Sequence, residues 1–174
     1  MFRYRLQFAK TAAMRFTGHL DLFRTWERTI RRADLPLAYS QGFSPHPRLN
    51  LASALPLGFT SDAEFLDLWL TEELSVTEIL TRLSEAAPPG IRIQSIEPAD
   101  LHQPALQTCV THAEFTVTFL EPVDQLAEKI AELLSSESLP STRRKKAYDL
   151  RPLIESIQVL PEDEHRRQQL AMRL

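Results

Sequence analysis

Residues 2–8, FRYRLQF, alternate: Phe2, Tyr4, Leu6 and Phe8 fall on one side, Arg3 and Arg5 on the other. That period of two predicts a strand with one buried face. From His19 to Ala33 the period lengthens. Leu20, Phe23, Trp26, Ile30 and Ala33 recur at steps of three and four, which predicts an amphipathic helix. Asp21 in its first turn suits the positive end of the helix dipole. LPLAYS, residues 35–40, reads as a second strand. GFSPHPR (42–48) has turn chemistry, because Gly42, Pro45 and Pro47 restrict the backbone. In AEFLDLWLTE (63–72), Phe65, Asp67 and Trp69 alternate with Leu66, Leu68 and Leu70, a third strand. Ser75 followed by Glu78 is a capping box opening a helix with Val76, Ile79, Leu80 and Leu83 as its apolar positions. APPG stops it, and GIRIQSIEP (90–98) supplies a fourth strand.

The predicted order over residues 1–100 is β-α-β-β-α-β, the split-βαβ or ferredoxin-like plan. Residues 101–112 read as a linker, and 113–174 as a second α+β half of related but less complete plan. Its expected elements are a strand at 113–120, a helix from Val123 to Leu134, a strand-like basic segment at 141–150, a short helical segment at 151–160 and a last strand at 167–174. That strand stops in mid-alternation on Leu170, Met172 and Leu174, so a truncated chain is expected.

Topology turns separate motifs into one candidate surface. In this plan the first strand–helix junction and the loop between strands two and three share one end of the sheet. With LPLAYS as strand two, His19 and Asp21 are expected to approach Ser44, His46 and Arg48.

At 43% hydrophobic and 25% charged residues the composition is that of an ordinary globular protein. There is no apolar run of membrane-spanning length, and the charged N-terminus lacks the apolar core of a signal peptide, so a cytoplasmic protein without membrane association is expected. One cysteine, Cys109, excludes an internal disulfide and a cysteine-held cluster. Charge changes the picture more. The net is −3, but residues 1–50 hold 9 Lys/Arg against 3 Asp/Glu while 51–100 hold 2 against 9. A local basic surface on an acidic protein is therefore expected, and phosphate backbones respond to such surfaces.

Arg24, Arg28, Arg31 and Arg32 are spaced to line a helix face that could contact phosphates, or equally to solvate it, with Glu27 as ion-pair partner. TRRKKAYDLR (142–151) carries five basic residues in ten. On a single strand Arg144 and Lys146 would share one side and Arg143 and Lys145 the other, a segment hard to bury and suited to electrostatic contact. His19 and His46 could be an acid–base pair, or with Asp21 a partial metal site. No HxxxH, HExxH or Cys–His spacing supports either, so the expectation is no metal and a binding role before a catalytic one. Ser44 lacks a nucleophile elbow, and no glycine-rich phosphate loop occurs.

The stretch from Met14 to Leu68 closely resembles the N-terminal signature of the radical-SAM-linked family of uncharacterised proteins. The matching residues run through His19, Leu20, Asp21, Glu27, Arg28, Arg31, Arg32 and Pro36, then from Tyr39 to Gly42 with Phe43, and on through Pro45, His46, Pro47 and Arg48. A second resemblance links Arg143–Lys146 and Asp149, Arg151, Pro152 and Ile154 to a basic strand followed by a DlRPlI element. Gly18 stands where the family has Ser, Asp34 where it has Gly, and Ser44 where it has Asn. The resemblance implies association with a radical SAM protein. This chain has no CxxxCxxC, so S-adenosylmethionine and the [4Fe–4S] cluster would belong to the partner alone. The implied role is that of a non-catalytic accessory protein that positions a substrate, RNA such as transfer or ribosomal RNA by charge pattern and fold-level analogy. The expected RNA contacts are His19, Asp21, the four helix arginines, Gln41, Ser44, His46, Arg48, Arg143 to Lys146, and Arg151. Two alternatives remain: a metal-free endoribonuclease using His19 or His46, and a protein-interaction scaffold docking through the acidic residues of 62–85.

Overall fold

The computed structural model describes all 174 residues, in two compact units, 1–110 and 111–174. In the first unit β1 (Phe2–Lys10), α1 (His19–Arg32), β2 (Leu49–Leu51), β3 (Ser61–Leu70), α2 (Val76–Ala86) and β4 (Ile91–Ala99) follow in order. The strands lie β2-β3-β1-β4 with every neighbouring pair antiparallel, the ferredoxin-like arrangement that the order of elements predicts.

The period of two in β1 and β3 sorts their side chains onto two faces. Tyr4, Leu6, Phe8, Leu66, Leu68 and Leu70 meet Leu22, Trp26 and Ile30 of α1 and Ile79 and Leu83 of α2. Phe8 and Trp26 pack edge to face with ring centres 4.8 Å apart. The stripe of α1 is turned from the predicted one: Leu22 goes inward and Leu20 stays exposed. Leu22 lies four residues before Trp26 and shares its face, whereas Leu20 lies six before it and does not. At the end of α1, Asp34 has φ +51°, Asp34 N donates to Arg31 O and Leu35 N to Ile30 O. This is a Schellman cap with Asp at its left-handed residue, the position where the resembled signature has Gly. Half of the predicted capping box forms on α2. Ser75 Oγ accepts from Glu78 N at 3.2 Å, but the Glu78 carboxylate turns to Arg82.

The second strand departs from its prediction. Leu35–Ser40 contributes only isolated pairing, Leu37 beside Leu70, and the strand proper begins at Leu49. Both pieces use the same edge of β3. Thr71 N donates to Pro36 O and Ala38 N to Trp69 O, while Trp69 N donates to Arg48 O and Leu49 pairs with Leu68. The edge strand is thus interrupted, and residues 39–47 loop out from it. Pro45 and Pro47 account for the interruption, since neither has an N–H to offer a ladder.

The face away from the helices carries charge. Asp67, fully buried, accepts from Arg3 Nε at 3.0 Å and from Arg5 Nε and Nη2 at 2.9 and 3.0 Å. The rest of the Arg3 guanidinium donates to the carbonyls of Asp100, Gln103 and Pro104 at 2.9–3.1 Å. The first part of the expected linker is therefore bound down on the sheet, and it continues into the helical turn α3 (Leu106–Cys109), whose Leu106 is buried. At the far end of the sheet Lys10 is fully buried and donates to Phe59 O at 2.9 Å, near buried Glu64.

In the second unit β5 (Glu114–Thr118), α4 (Leu126–Ser135), β6 (Pro140–Arg143), β7 (Lys146–Asp149), β8 (Ser156–Leu160) and β9 (Gln169–Arg173) follow. Strands order as β5-β9-β8, with β9 central, around a small core of Leu126, Ile157 and Leu170. This order differs from that of the first unit. Two expectations are corrected here. The basic segment is not one strand but a separate hairpin, β6–β7, and the segment expected to be a short helix is mostly strand β8. Ile157 and Val159 share one face with Gln158 between them, and all of Ser156–Leu160 pairs with β9; only Arg151–Leu153 forms a helical turn.

Asp67→Ala leaves Arg3 buried without its counter-charge and is expected to cost about 3–5 kcal/mol. Urea unfolding followed by tryptophan fluorescence reads this, because Trp26 and Trp69, the only tryptophans, both lie in the first unit; an unchanged midpoint would contradict it. Burial holds the Glu64 carboxyl above its ordinary value, against the opposing pull of Ser61 and Lys10. A carboxyl raised in the folded state contributes stability that is complete below its unfolded pKa and lost as pH rises through the folded value. The urea midpoint of Glu64→Gln relative to wild type is therefore expected to be higher at about pH 7 than near pH 4, below the ordinary glutamate value; an unchanged difference between the two pH values would contradict it.

Candidate nucleic-acid interface

The interrupted strand decides where the predicted site residues lie. The true β2–β3 connection, 52–60, does sit beside the β1–α1 junction: Gly58 N donates to Arg15 O and Arg15 Nε to Gly58 O, both at 2.9 Å. GFSPHP, however, precedes β2 and lies at the other end of the sheet, where Leu37 meets Leu70 and Arg31 of the last turn of α1 meets Tyr39. His19 and Asp21 stand at the first turn of α1, about 20 Å away at 1.5 Å of rise per residue. The expected convergence of His19 and Asp21 on Ser44, His46 and Arg48 does not occur. Nor can His19 and His46 act as one acid–base pair.

What the fold does bring together is the end of α1 and the loop 39–47. Arg31 Nε donates to the Tyr39 hydroxyl at 3.1 Å, the guanidinium lies 6.0 Å from the Tyr39 ring centre, and Nη2 reaches Glu27 at 2.7 Å. Arg24, Arg28 and Arg31 are all exposed and recur at helical spacing, so they form a basic row leading to the loop. Arg24 has only a 3.5 Å contact with Asp21. Arg32 leaves the row: its Nη2 donates to Ala86 O at 2.7 Å and closes the end of α2. It edges a hollow of about 600 Å³ with Asp34, Arg82 and Glu85, where Arg82 donates to Asp34 O and pairs with Glu78. These cations are committed to joining the helix ends.

Three hydrogen bonds pin the loop. Arg48 N donates to Ala38 O at 2.9 Å and Ser40 N to His46 O at 2.8 Å, on either side of the Tyr39–Pro47 pair, and His46 N donates to Ser40 Oγ at 2.9 Å. Gly42 sits at φ +133°, a conformation open to glycine and rarely to other residues. Gln41, Ser44 and His46 are exposed, as is Phe43 at the tip. Arg48 follows the stem, its guanidinium 5.4 Å from the ring centre of Trp69, whose other guanidinium neighbour is Arg3 at 5.2 Å.

At the opposite end of α1, His19 has Nδ1 buried with no hydrogen-bond partner. Phe16 and Leu20, close to it in the chain, are exposed, and so are Leu57 and Phe59, which flank the Gly58 bonded to Arg15. No group of three or more His, Cys, Asp or Glu side chains gathers as a metal-binding set, and no helix is long and apolar enough to cross a membrane. The acidic excess of residues 51–100 is less superficial than its count implies, since Glu64 and Asp67 are both buried.

In the second unit the hairpin β6–β7 turns through Arg144 and Lys145, at φ +49° and +67°. Positive φ at both central residues is the requirement of the tight hairpin turn usually met by Asn-Gly, and in other L-residues it costs roughly 1–2 kcal/mol each. Arg143 pairs directly with Lys146, and Ser141 with Tyr148, so Arg143, Lys146 and Tyr148 share one face. That corrects the single-strand expectation that set Arg143 and Lys146 on opposite sides. None of the four cations is in an ion pair, and all are exposed. Two like charges directly across a strand pair destabilise it. Arg151, expected to contact RNA, is instead structural: it donates to Ile154 O at 3.2 Å and Leu134 O at 3.0 Å. Asp149 anchors the hairpin base, and the backbone N–H groups of Leu139 and Arg151 hold its carboxyl below the usual carboxylate range.

Two exposed aromatics, Phe43 and Tyr148, stand outside the residues expected from the sequence to make contacts. The signal was present: a phenylalanine set between Gly and Ser-Pro in a turn has no hydrophobic period to bury it. Ser40→Ala removes the hydroxyl that holds His46 N, and amide exchange at His46 is expected to rise roughly fivefold, the equivalent of about 1 kcal/mol. Unchanged protection would mean the prolines alone set the loop.

No curated protein matches the chain. A family model described as an uncharacterised protein conserved in bacteria (DUF2344) matches residues 3–174, nearly the whole length. The chain belongs to that family.

Proposed function

We propose that the protein is a non-catalytic, cytoplasmic recognition module that binds RNA, of the transfer or ribosomal kind, and presents it to a radical SAM enzyme. One observation carries the RNA half of the reading: four adjacent cations, Arg143 to Lys146, stand exposed on a hairpin without a single ion pair. Two face each other across the strands and two occupy left-handed turn positions. Each feature costs stability in the free protein and is relieved by a polyanion. Tyr148 on the same face offers a ring for a base. The exposed row of Arg24, Arg28 and Arg31 supports the same reading independently.

The partner half rests on the resemblance of residues 14–68 and 143–154 to the radical-SAM-linked family. Chemistry is assigned to that partner, which would hold S-adenosylmethionine and the [4Fe–4S] cluster. The exposed Phe16, Leu20, Leu57 and Phe59 are a surface of the kind that a protein partner covers. The endoribonuclease alternative keeps either His19 or His46 as a lone base, without help from the other, because the two lie at opposite ends of the first sheet.

Fluorescence anisotropy of cellular RNA across a salt series tests the reading. The wild type is expected to bind at low salt with affinity falling steeply as salt rises. Reversing all four charges of Arg143–Lys146 is expected to flatten the log–log slope by up to about 3, at roughly 0.7 for each single-strand phosphate that the variant no longer neutralises. Absence of binding at low salt would overturn the RNA reading and favour the scaffold alternative.

A further inference from the structure

The loop 39–47 holds an aromatic ring in a position that folding does not explain. Phe43 is 111% exposed relative to its reference, so nothing in the protein covers the ring. A single exposed apolar side chain is ordinary on a protein surface, but one at full exposure on a mobile segment or within an apolar patch would offer no defined face. Phe43 is in neither setting. Its stem is closed by the Tyr39–Pro47 pairing and the two Ser40–His46 bonds, Pro45 and Pro47 stiffen the return, and Gly42 at φ +133° sets the turn just before it. The residues around it are polar and exposed: Gln41, Ser44 and His46.

Charge narrows the occupant. No Asp or Glu occurs between Asp34 and Asp62, so the loop and both arms of its stem carry no acid of their own; Glu27, paired with Arg31 at 2.7 Å, belongs to α1. A cation stands by each arm: Arg31 bonds to Tyr39 on one, and Arg48 follows Pro47 on the other. An apolar protein surface would leave Arg48 and the amide and hydroxyl of the tip unmatched, and would leave Arg31 with Glu27 as its one counter-charge. A nucleotide matches all of them, with a π-face for the ring, hydrogen-bonding edges for Gln41 and Ser44, and phosphates for the arginines. The base must be unstacked for its face to be free, which excludes the interior of a duplex.

We propose that the loop 39–47 is a clamp for an unpaired nucleotide of single-stranded RNA, with Phe43 as the stacking surface and Arg31 and Arg48 as flanking phosphate contacts. This deepens the RNA reading above and rests on it.

The test is anisotropy of the full chain with two probes, an unstructured 12-nucleotide RNA and a blunt duplex RNA, for wild type, Phe43→Ala and Phe43→Trp. Phe43→Ala is expected to weaken single-strand binding roughly 5- to 150-fold, the range for losing one base–aromatic stack. Its salt slope stays unchanged because stacking releases no counterions. Duplex binding stays unchanged, and Phe43→Trp keeps wild-type affinity. If the wild type binds both probes and Phe43→Ala binds the single strand equally well, the clamp is overturned while RNA binding stands. If the wild type binds neither probe, the RNA reading falls and the clamp with it. An unchanged RNA affinity in Phe43→Ala, with loss of binding to a purified radical SAM protein, would reassign the loop to protein docking and overturn the clamp.

Discussion

A carboxylate with no exposure to water, Asp67, accepts hydrogen bonds from two arginines of the neighbouring strand. Arg3, itself buried, then has donors left over, and a buried guanidinium cannot leave them unmatched without a cost of several kcal/mol. The carbonyls of Asp100, Gln103 and Pro104 receive them. One ion pair therefore ties the two central strands together and fastens the chain after β4 across the open face of the sheet. In the ferredoxin-like plan that face is free. Here part of it is closed by residues 100–109, and Trp69 is buried between Arg3 and Arg48. Binding chemistry is left to the edge of the sheet and to α1.

The edge is where the interrupted strand matters. Had LPLAYS run on as β2, the histidines of both motifs would share one end of the sheet, where an acid–base site could form. The prolines instead push residues 39–47 out as a pinned loop before the edge resumes at Leu49. The loop then meets the end of α1, where Arg31 and Tyr39 join it to the helical arginine row. The same few residues thus shift the candidate chemistry from catalysis to recognition. In the second unit a different device has a similar consequence, because a hairpin outside the main sheet carries its cations where no neighbouring strand or acid neutralises them.

The first unit was legible because its periods are clean. β1, β3 and α2 have one apolar face each, and the alternation of Phe2 to Phe8 or Leu66 to Leu70 leaves little choice of register. β4 was legible despite a slip. Its inward positions change from Ile91 and Ile93 to Ile96 because pairing with β1 skips a residue between Gln7 and Phe8. What could not be read were features set by long-range pairing. LPLAYS has strand composition, yet its pairing with β3 stops after Ala38, and the prolines that account for this stand several residues further on, at 45 and 47. Nothing in TRRKKAYD marks a two-residue turn, since Arg-Lys lacks the Asn-Gly signal and takes positive φ only because the flanking strands impose it. Arg32 and Arg151 read as free cations for the same reason: their carbonyl partners, Ala86 and Leu134, are distant in sequence or on another element.

The most direct measurement is ultraviolet crosslinking of the full-length protein to cellular RNA, followed by mapping of the crosslinked peptides. Recognition by the loop and the hairpin predicts crosslinks at the peptides holding Tyr39–Phe43 and Arg143–Tyr148, lost when salt is raised. Crosslinks confined to other surfaces, or none at low salt, would contradict it.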